Sequence, residues 1–281
     1  MRINRCLLGI LSLLFAGSLM AGSMPIDWEA ESQDQWHGFK RYRMRIDGCA
    51  AWVVAPKKVA PGRPWIWGME FPQAFDTRTG AIPLVQAGYH YLHISVGNTY
   101  GAPVPQKHFD AFYKWFVKKG LNPKGTLIGL SRGGLYIYNF ATRHPERVVC
   151  LYGDAPVCDP KSWPGGKGAG KGSPSDWKRL IRLYGFKNEA EAMGFQRYPI
   201  HTPILLPLAR AGIPLIHVVG DKDHVVPQEE NSAIVEANYK KLGGVITVFH
   251  KPKFDHHPHG LDDPSPVVAL IKRYTDERMK K

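Results

Sequence analysis

Residues 126–135 read TLIGLSRGGL, a short apolar run that leads into a serine set between glycines. The segment from Gly129 to Gly133 fits the pattern G-x-S-x-G. The apolar run before Ser131 predicts a buried strand, and the pattern at 135–142 predicts a helix directly after it. A serine at so sharp a strand-to-helix turn takes a strained backbone that presents its hydroxyl above the sheet. We therefore predict that Ser131 is a nucleophile, against the alternative of a glycine-rich turn without catalysis.

Two later segments carry the partners that such a serine needs. A serine hydroxyl is a poor nucleophile until a base takes its proton, and that base needs a carboxylate to orient it. Residues 220–227 read GDKDHVVP and follow the apolar run at 215–219. Residues 255–260 read DHHPHG and follow the β-rich run at 245–249. The chain order is therefore Ser, then Asp, then His, as expected after a serine in this kind of turn.

The remainder of the chain alternates β-rich runs with helical patterns. Residues 42–46 alternate apolar and cationic side chains with the period of a half-buried strand, and Asp47-Gly48 predicts a two-residue turn into a second strand at 49–54. Further β-rich runs lie at 65–67, 89–96, 126–130, 148–152, 215–219 and 245–249, and helical patterns lie around 109–116, 137–142, 228–242 and 267–278. Antiparallel strands followed by alternating strands and helices predict an α/β fold with a mostly parallel central sheet and helices on both faces.

Residues 155–212 interrupt this alternation. The segment is too long for an ordinary connection, and it holds Trp163 and the Gly- and Lys-rich tract at 164–174. We interpret it as a cap or lid over the site, with a plain surface excursion as the alternative. Because α/β domains often exceed 200 residues as single units, residues 24–281 are predicted to form one domain with this cap inserted.

The first residues resemble an export signal. Arg2 and Arg5 precede an apolar run at 6–19, and small residues follow at 21–23. This pattern predicts a secretory signal peptide over residues 1–23 and a secreted or periplasmic protein, with a retained anchor as the alternative.

The charge of the chain indicates its partners. The formal net charge is +13, and it falls to +11 when Arg2 and Arg5 are removed with the leader. A strongly basic exported protein is expected to meet anions, such as an acidic polysaccharide or an anionic envelope. The sequence contains no nucleic-acid-binding motif, and no later run approaches the roughly 18–20 apolar residues of a membrane span. We therefore expect neither nucleic acid nor a stable membrane span after signal cleavage.

These motifs together resemble the α/β-hydrolase superfamily over nearly all of the predicted mature chain. In that superfamily the acid usually lies in G-x-x-D-x-x-V-P, which residues 220–227 match. The resemblance therefore selects Asp223 as the acid and leaves Asp221 as a loop residue. It also implies an α/β-hydrolase fold with an inserted cap.

The histidine is less directly assigned by the resemblance. It usually follows a glycine and precedes a proline by seven or eight residues, but Asp255 stands where that glycine would be. Counting back from Pro264 favours His256 or His257 over His259, and we select His256, with the other two as alternatives. The three histidines with Asp255 are also suitable metal ligands. Because the triad explains one histidine without an ion, we predict no metal site and no cofactor.

An oxyanion hole needs two N–H donors. One is expected from the backbone of Arg132, directly after the nucleophile. The other is expected from the loop after the strand at 65–67, from Met69 or Glu70.

A narrower resemblance concerns the substrate. Residues 131–135, 154–157, 162–166 and 256–259 are similar to exported bacterial hydrolases of polysaccharide breakdown, whose relatives include carbohydrate esterases such as pectin methylesterases. This resemblance implies a saccharide ester, and Arg132 is suited to a bidentate pair with a uronate carboxylate. Trp163 is suited to stacking on a sugar ring, with core packing as the alternative. Further positive charge on the predicted cap comes from Lys161, Lys167, Lys171, Lys178, Arg179 and Arg182.

The sequence thus predicts an exported serine esterase that acts on a carbohydrate through an acyl-enzyme. One alternative is a serine peptidase of the prolyl-oligopeptidase-like type, because the triad does not specify the leaving group. Another is a binding protein that kept the fold and lost turnover, although such a protein has no reason to keep all three catalytic groups.

Overall fold

A computed structural model describes residues 26–279 as one nine-stranded sheet with helices around it. The predicted signal peptide, residues 1–23, lies outside the described residues. The strands are β1 (Ser32–Trp36), β2 (Phe39–Ile46), β3 (Cys49–Val54), β4 (Trp65–Glu70), β5 (His90–Ile94), β6 (Gly125–Leu130), β7 (Val148–Asp154), β8 (Leu215–Gly220) and β9 (Ile246–Lys251). The helices are α1 (Ala81–Gln86), α2 (Gln106–Lys118), α3 (Gly133–Arg143), α4 (Pro174–Tyr184), α5 (Glu189–Gly194), α6 (Thr202–Arg210), α7 (Ser232–Lys241) and α8 (Ser265–Met279).

The strand order in the sheet is β1-β2-β3-β5-β4-β6-β7-β8-β9. The pairs β1/β2, β2/β3 and β3/β5 are antiparallel, and the other five pairs are parallel. The predicted hairpin is present, with Ile46 opposite Cys49. Asp47 and Gly48 have φ angles of 48° and 78°, as a two-residue turn between twisted strands requires. The prediction of a mostly parallel sheet whose first strands along the chain are antiparallel is confirmed.

Each face of the sheet buries its own apolar cluster. Alternate side chains of a strand point to opposite faces, so Trp65 and Trp67 of β4 pack on one side and Ile66 on the other. The first side is covered by the aromatic face of α2, which supplies Phe109, Phe112 and Phe116. The second side is covered by α1 and by α8, which supplies Val267, Ile271 and Tyr274. Helices on both faces are therefore confirmed.

Local differences from the sequence prediction have physical causes. Strand β1 was not predicted, because SQDQW lacks an apolar alternation and four of its five residues are exposed. It is instead held by pairing with β2 and by Asp34, which accepts hydrogen bonds from Arg41 and Arg43. The helix predicted over 228–242 is divided into a 3₁₀ turn at Gln228–Glu230 and α7, because Asn231 takes a non-helical backbone.

Helices α4, α5 and α6 all lie within residues 155–212. Helix α6 contacts α3 and α7, and its Ile204, Leu205 and Leu208 join the first apolar cluster. The described residues thus place the end of this segment in the helical layer on the sheet, while its role as a cap stays a prediction. Among residues 26–279, every helix is too short or too polar to traverse a lipid bilayer.

Candidate active site

Ser131 occupies the turn between the end of β6 and the start of α3. Its φ angle is 51°, in the left-handed region that a non-glycine residue rarely adopts. Three backbone hydrogen bonds hold it there: its N–H donates to Asp154 at 2.8 Å, and its carbonyl accepts from Gly134 at 3.0 Å and from Val157 at 2.8 Å. The strained strand-to-helix turn expected from the sequence is therefore present at this serine.

The glycines around Ser131 differ in how much room they have. A Cβ at Gly129 would lie 2.4 Å from the carbonyl oxygen of Gly133, and one at Gly134 would lie 2.5 Å from the carbonyl oxygen of Val157. A Cβ at Gly133 would meet only Glu70 Cβ, at 3.2 Å. The close approach of neighbouring backbone thus requires glycine at positions 129 and 134, whereas position 133 has more room.

This difference predicts unequal effects of alanine. We expect Gly129→Ala to lower the free energy of unfolding by about 1–3 kcal/mol, because a fixed carbonyl cannot move away from the added methyl group. Gly133→Ala, in the same motif, should change it by much less. Urea unfolding of both variants measures the two values, and equal losses would contradict the close-packed turn.

Three side chains from three loops form a hydrogen-bonded chain that includes Ser131. His256 Nε2 lies 3.0 Å from Ser131 Oγ, and His256 Nδ1 lies 2.7 Å from Asp223 Oδ2. The side chains of His256 and Asp223 are only 7% and 1% exposed. Since a carboxylate accepts, Nδ1 carries the proton and Nε2 is free to accept the proton of the serine hydroxyl. The structure thus brings together the three residues selected from the sequence.

The loop after β8 explains why Asp223 and not Asp221 is in this chain. The backbone N–H groups of Val225 and Val226 donate to Asp223 Oδ1 at 2.9 and 2.7 Å, which leaves Oδ2 for the imidazole. Asp221 accepts instead from His250 Nδ1 at 2.7 Å, and both of these side chains are at least one-third exposed. The G-x-x-D-x-x-V-P pattern therefore corresponds to a turn whose own backbone N–H groups hydrogen-bond to the carboxylate of its aspartate.

Asp255 joins the acid loop to the histidine loop. Its Oδ1 accepts from the N–H of His224 at 2.9 Å and from the N–H of His256 at 2.7 Å. The hydrogen bond from His224 lowers the pKa of Asp255, and the one from His256 adds to this effect. The residue that departs from the usual glycine thus fixes the backbone that carries His256.

His259 belongs to a second, buried pair that the sequence analysis missed. Its Nδ1 lies 2.8 Å from Oδ1 of Asp154, whose Oδ2 accepts from Tyr152 Oη at 2.5 Å and from the N–H of Gly260 at 2.8 Å. Burial alone would raise the pKa of Asp154, but the hydrogen bond and charge of His259 outweigh it, and the pKa is lowered. Asp154 lies opposite Leu130 across β6 and β7, directly beside the turn of Ser131. An acidic residue at the end of an apolar strand was the available signal.

His257, the third histidine of the cluster, is exposed. Burial, followed by the charges of His259 and His256, lowers its pKa. The three adjacent histidines therefore have different surroundings: His256 contacts Ser131, His259 is held by a buried carboxylate, and His257 faces solvent.

Arg132 presents both its backbone and its side chain near the site. The structure gives its N–H no hydrogen-bond partner among residues 26–279, so this amide is available to a ligand. Its Nε and Nη2 donate to Glu70 Oε1 at 2.9 and 2.8 Å, and its guanidinium lies 4.7 Å from the ring centre of Phe71. Burial raises the pKa of Glu70, and the charge of Arg132 opposes this. The Nε/Nη2 edge of Arg132 is thus already occupied by Glu70, so the bidentate pair with a uronate is not open there, and Nη1 is the nitrogen left without a partner among the described residues.

The end of β4 supplies the other oxyanion candidates. Met69 and Glu70 both lie within the strand, where Glu70 pairs with Gly129 of β6. The first residue beyond it, Phe71, has a φ angle of 52° and an N–H that is also without a partner in the described chain. Phe71 therefore joins Met69 and Glu70 as a candidate donor.

A cavity of about 350 Å³ lies beside Arg132. Its lining includes the polar residues Glu70, His93 and Asn98 and the aromatic residue Phe71. The Oδ1 atom of Asn98 is buried without a hydrogen-bond partner in the described chain, so it can accept from a bound molecule.

Trp163 is connected to Arg132 through Tyr100. Its half-buried ring is centred 6.3 Å from that of Tyr100, and the Tyr100 ring lies 5.9 Å from the guanidinium carbon of Arg132. Trp163 also packs against the first apolar cluster.

Solved structures with this architecture come from several hydrolases. A dipeptidyl peptidase 4 from Porphyromonas gingivalis superposes with a TM-score of 0.62 at 13% identity, over 86% of this chain. An S-formylglutathione hydrolase from Agrobacterium tumefaciens gives 0.59 at 13% identity over 89%, and a puromycin-hydrolyzing peptidase from Mycobacterium tuberculosis gives 0.61 at 17% over 84%. The chain has the α/β-hydrolase fold.

The lengths of these α/β-hydrolase structures differ. The chain spans 36% of the P. gingivalis peptidase and 40% of the M. tuberculosis peptidase, but 98% of the formylglutathione hydrolase. No protein-family model and no curated protein sequence matches the chain. At these identities the likeness establishes the fold alone, so the function has to be argued from the site.

Proposed function

We propose that this chain is a serine hydrolase with Ser131 as nucleophile, His256 as general base and Asp223 as the orienting acid. The observation that carries the proposal is the continuous hydrogen-bonded chain from Asp223 through His256 to Ser131, at 2.7 and 3.0 Å. A non-catalytic binding protein is disfavoured, because it has no use for a strained serine aligned with a buried acid–base pair.

The geometry supports acyl transfer in two steps. Ser131 Oγ attacks the carbonyl carbon of the substrate while His256 Nε2 takes the hydroxyl proton, and Asp223 stabilises the resulting imidazolium. The imidazolium then gives this proton to the leaving group, which departs and leaves an acyl-Ser131 ester. A water molecule repeats the sequence, with His256 as base, and releases the acid.

The oxyanion of both tetrahedral intermediates needs two donors. The unpartnered N–H of Arg132 is the first. Met69, Glu70 or Phe71 provides the second, and Phe71 has the advantage of a free N–H outside the strand.

For the substrate we propose an ester on a carbohydrate, cleaved after export. Export rests on the leader-like pattern of residues 1–23. The polar cavity with its unpartnered Asn98 oxygen supports a hydroxyl-rich ligand, and the half-buried ring of Trp163, which neighbours Tyr100, is the surface we propose for stacking on a sugar ring. The positive charge supports an anionic glycan. Among the described residues, seven Lys and Arg side chains of the 155–212 segment have no ion-pair partner: Lys171, Lys178, Arg179, Arg182, Lys187, Arg197 and Arg210.

The charge argument predicts a substrate preference. We expect a higher kcat/KM for an acetyl or methyl ester on an anionic glycan than for the same ester on a neutral glycan. Long-range attraction is screened over about 8 Å at physiological salt, so the ratio of the two values should fall as salt rises. Acetylated pectin, a neutral glycan with the same acetyl ester and a peptide substrate, compared across a salt series, measure this ratio and the peptidase alternative together.

Two variants separate local from general charge. Arg132→Gln and Arg182→Gln remove the same charge, but only Arg132 lines the cavity. The anionic-to-neutral ratio at high salt should fall in Arg132→Gln and stay unchanged in Arg182→Gln. A ratio near one at every salt concentration would contradict the anionic substrate, and faster cleavage of the peptide would favour a peptidase.

A further inference from the structure

His256, His257 and His259 form a compact triangle of imidazoles. Each pair of ring centres is 4.9 Å apart, and the ring planes meet at 69°, 79° and 89°. One ligand nitrogen of each ring lies within 4.8 Å of the other two. Within the described residues this is the one group of three or more His, Cys, Asp or Glu side chains with that proximity.

Buried carboxylates accept hydrogen bonds from two of the three rings. Asp223 holds His256 at Nδ1 and Asp154 holds His259 at Nδ1, at 2.7 and 2.8 Å. In metal sites, ligating histidines almost always donate their second ring N–H to a carboxylate or carbonyl, which fixes the tautomer and raises the basicity of the other nitrogen. Both rings are therefore prepared to offer Nε2 as a ligand.

The third ring, that of His257, is the one that can move to bring the three nitrogens to metal-binding distance. Neighbouring ligand nitrogens in a tetrahedral zinc site are roughly 3.4 Å apart, because each lies about 2.0–2.1 Å from the ion. His257 is exposed and has no side-chain hydrogen bond within the described chain, so its ring can move inward. Phe75 lies against this side of the triangle, 5.8 Å from His257 and 5.4 Å from His259 between ring centres.

We propose that His256, His257 and His259 bind one divalent transition-metal ion of the Zn²⁺ class, and that this ion reversibly inhibits the enzyme. The inhibition rests on the proposed serine-hydrolase function; the metal site does not. Since His256 Nε2 is also the atom that accepts the serine proton, an ion on that nitrogen excludes Ser131 from it. Inhibition needs no covalent step. The ion replaces the hydrogen bond between Ser131 Oγ and His256 Nε2, and a water molecule fills the fourth coordination position of the ion.

Binding is tested directly on the whole mature chain. Titration with Zn²⁺ in competition with a chromophoric chelator should give one equivalent per chain, and Co²⁺ should give the visible absorption of a tetrahedral site. His257→Ala should weaken binding by at least about 10-fold, because losing a ligand costs no less than losing a second-shell partner. His250→Ala removes a histidine that is also exposed but outside the triangle, and it should bind as the wild type does.

Inhibition is tested separately with p-nitrophenyl acetate. Zn²⁺ should suppress hydrolysis by the wild type, EDTA should restore it, and the half-inhibiting concentration should rise at least about 10-fold in His257→Ala, each protein being compared with its own metal-free rate. Ser131→Ala should still bind one ion, because it keeps all three ligands.

The outcomes are distinguishable. Absent or unspecific binding in Ser131→Ala, or equal affinity in wild type and His257→Ala, would overturn the metal site. One-equivalent binding without loss of hydrolysis would overturn the inhibition. One-equivalent binding by a chain that hydrolyses nothing would overturn the serine-hydrolase proposal and the inhibition with it, and would leave the metal site in place.

Discussion

Ser131→Ala is expected to lower kcat/KM for aryl esters by about 10⁴- to 10⁶-fold, the range found when such a triad loses one of its members. The reason is local: His256 and Asp223 remain aligned, but no hydroxyl is left to form the acyl-enzyme. Residual turnover would come from the oxyanion donors and from substrate binding. The measurement is steady-state hydrolysis of p-nitrophenyl acetate by purified wild type and variant.

A matched serine keeps this result interpretable. Ser265 lies exposed at the start of α8, and within residues 26–279 the side chain to which its hydroxyl donates is that of Asp263. Ser265→Ala should therefore retain near-wild-type kcat/KM, and both variants should unfold at similar temperatures. Near-normal activity in a folded Ser131→Ala would remove the serine-hydrolase proposal.

The second large effect separates two aspartates of one loop. Asp223→Asn should reduce kcat by about 10⁴-fold, because an amide at this position leaves the imidazole in the wrong tautomer. Asp221→Asn should change kcat by no more than a few-fold, since Asp221 pairs with the exposed His250 and touches neither His256 nor Ser131. Kinetics of the two variants under identical conditions provide the comparison.

The reverse ranking would mean that the loop after β8 adopts another arrangement in solution. Equal, severe losses would indicate that Asp221 fixes the loop backbone, and the unfolding temperatures of the two variants would show whether stability is the cause.

Much of the fold could be predicted because its signals are local. The alternation at 42–46 and the Asp47-Gly48 turn are set by neighbouring residues, and the β2–β3 hairpin follows from them. The same holds for Ser131, because the strand that precedes it ends at Leu130 and the helix that follows it begins at Gly133. Asp223 was selected through the G-x-x-D-x-x-V-P resemblance, and the structure shows that this pattern is local too, because the N–H groups of Val225 and Val226 donate to Asp223.

The missing parts depend on residues that meet only in three dimensions. Asp154 and His259 are 105 positions apart, and Glu70 and Arg132 are 62 apart, so no sequence pattern shows which residues pair, although Asp154 itself stands at the end of an apolar strand. The same limit applies to the histidine cluster, because His256, His257 and His259 are chemically identical. The distance to Pro264 favoured His256 or His257 over His259, but the roles of His256 and His259 follow only from the positions of the two carboxylates, Asp223 and Asp154.

The central claim, that Ser131 is an activated nucleophile, is tested most directly by a fluorophosphonate probe, which reacts with a serine only when a base activates it. We predict one probe molecule per wild-type chain by intact mass, located by peptide mapping at Ser131. We further predict no labelling of Ser131→Ala and strongly slowed labelling of His256→Ala. A folded wild-type chain that stays unlabelled, or a label that persists in Ser131→Ala, would contradict the claim.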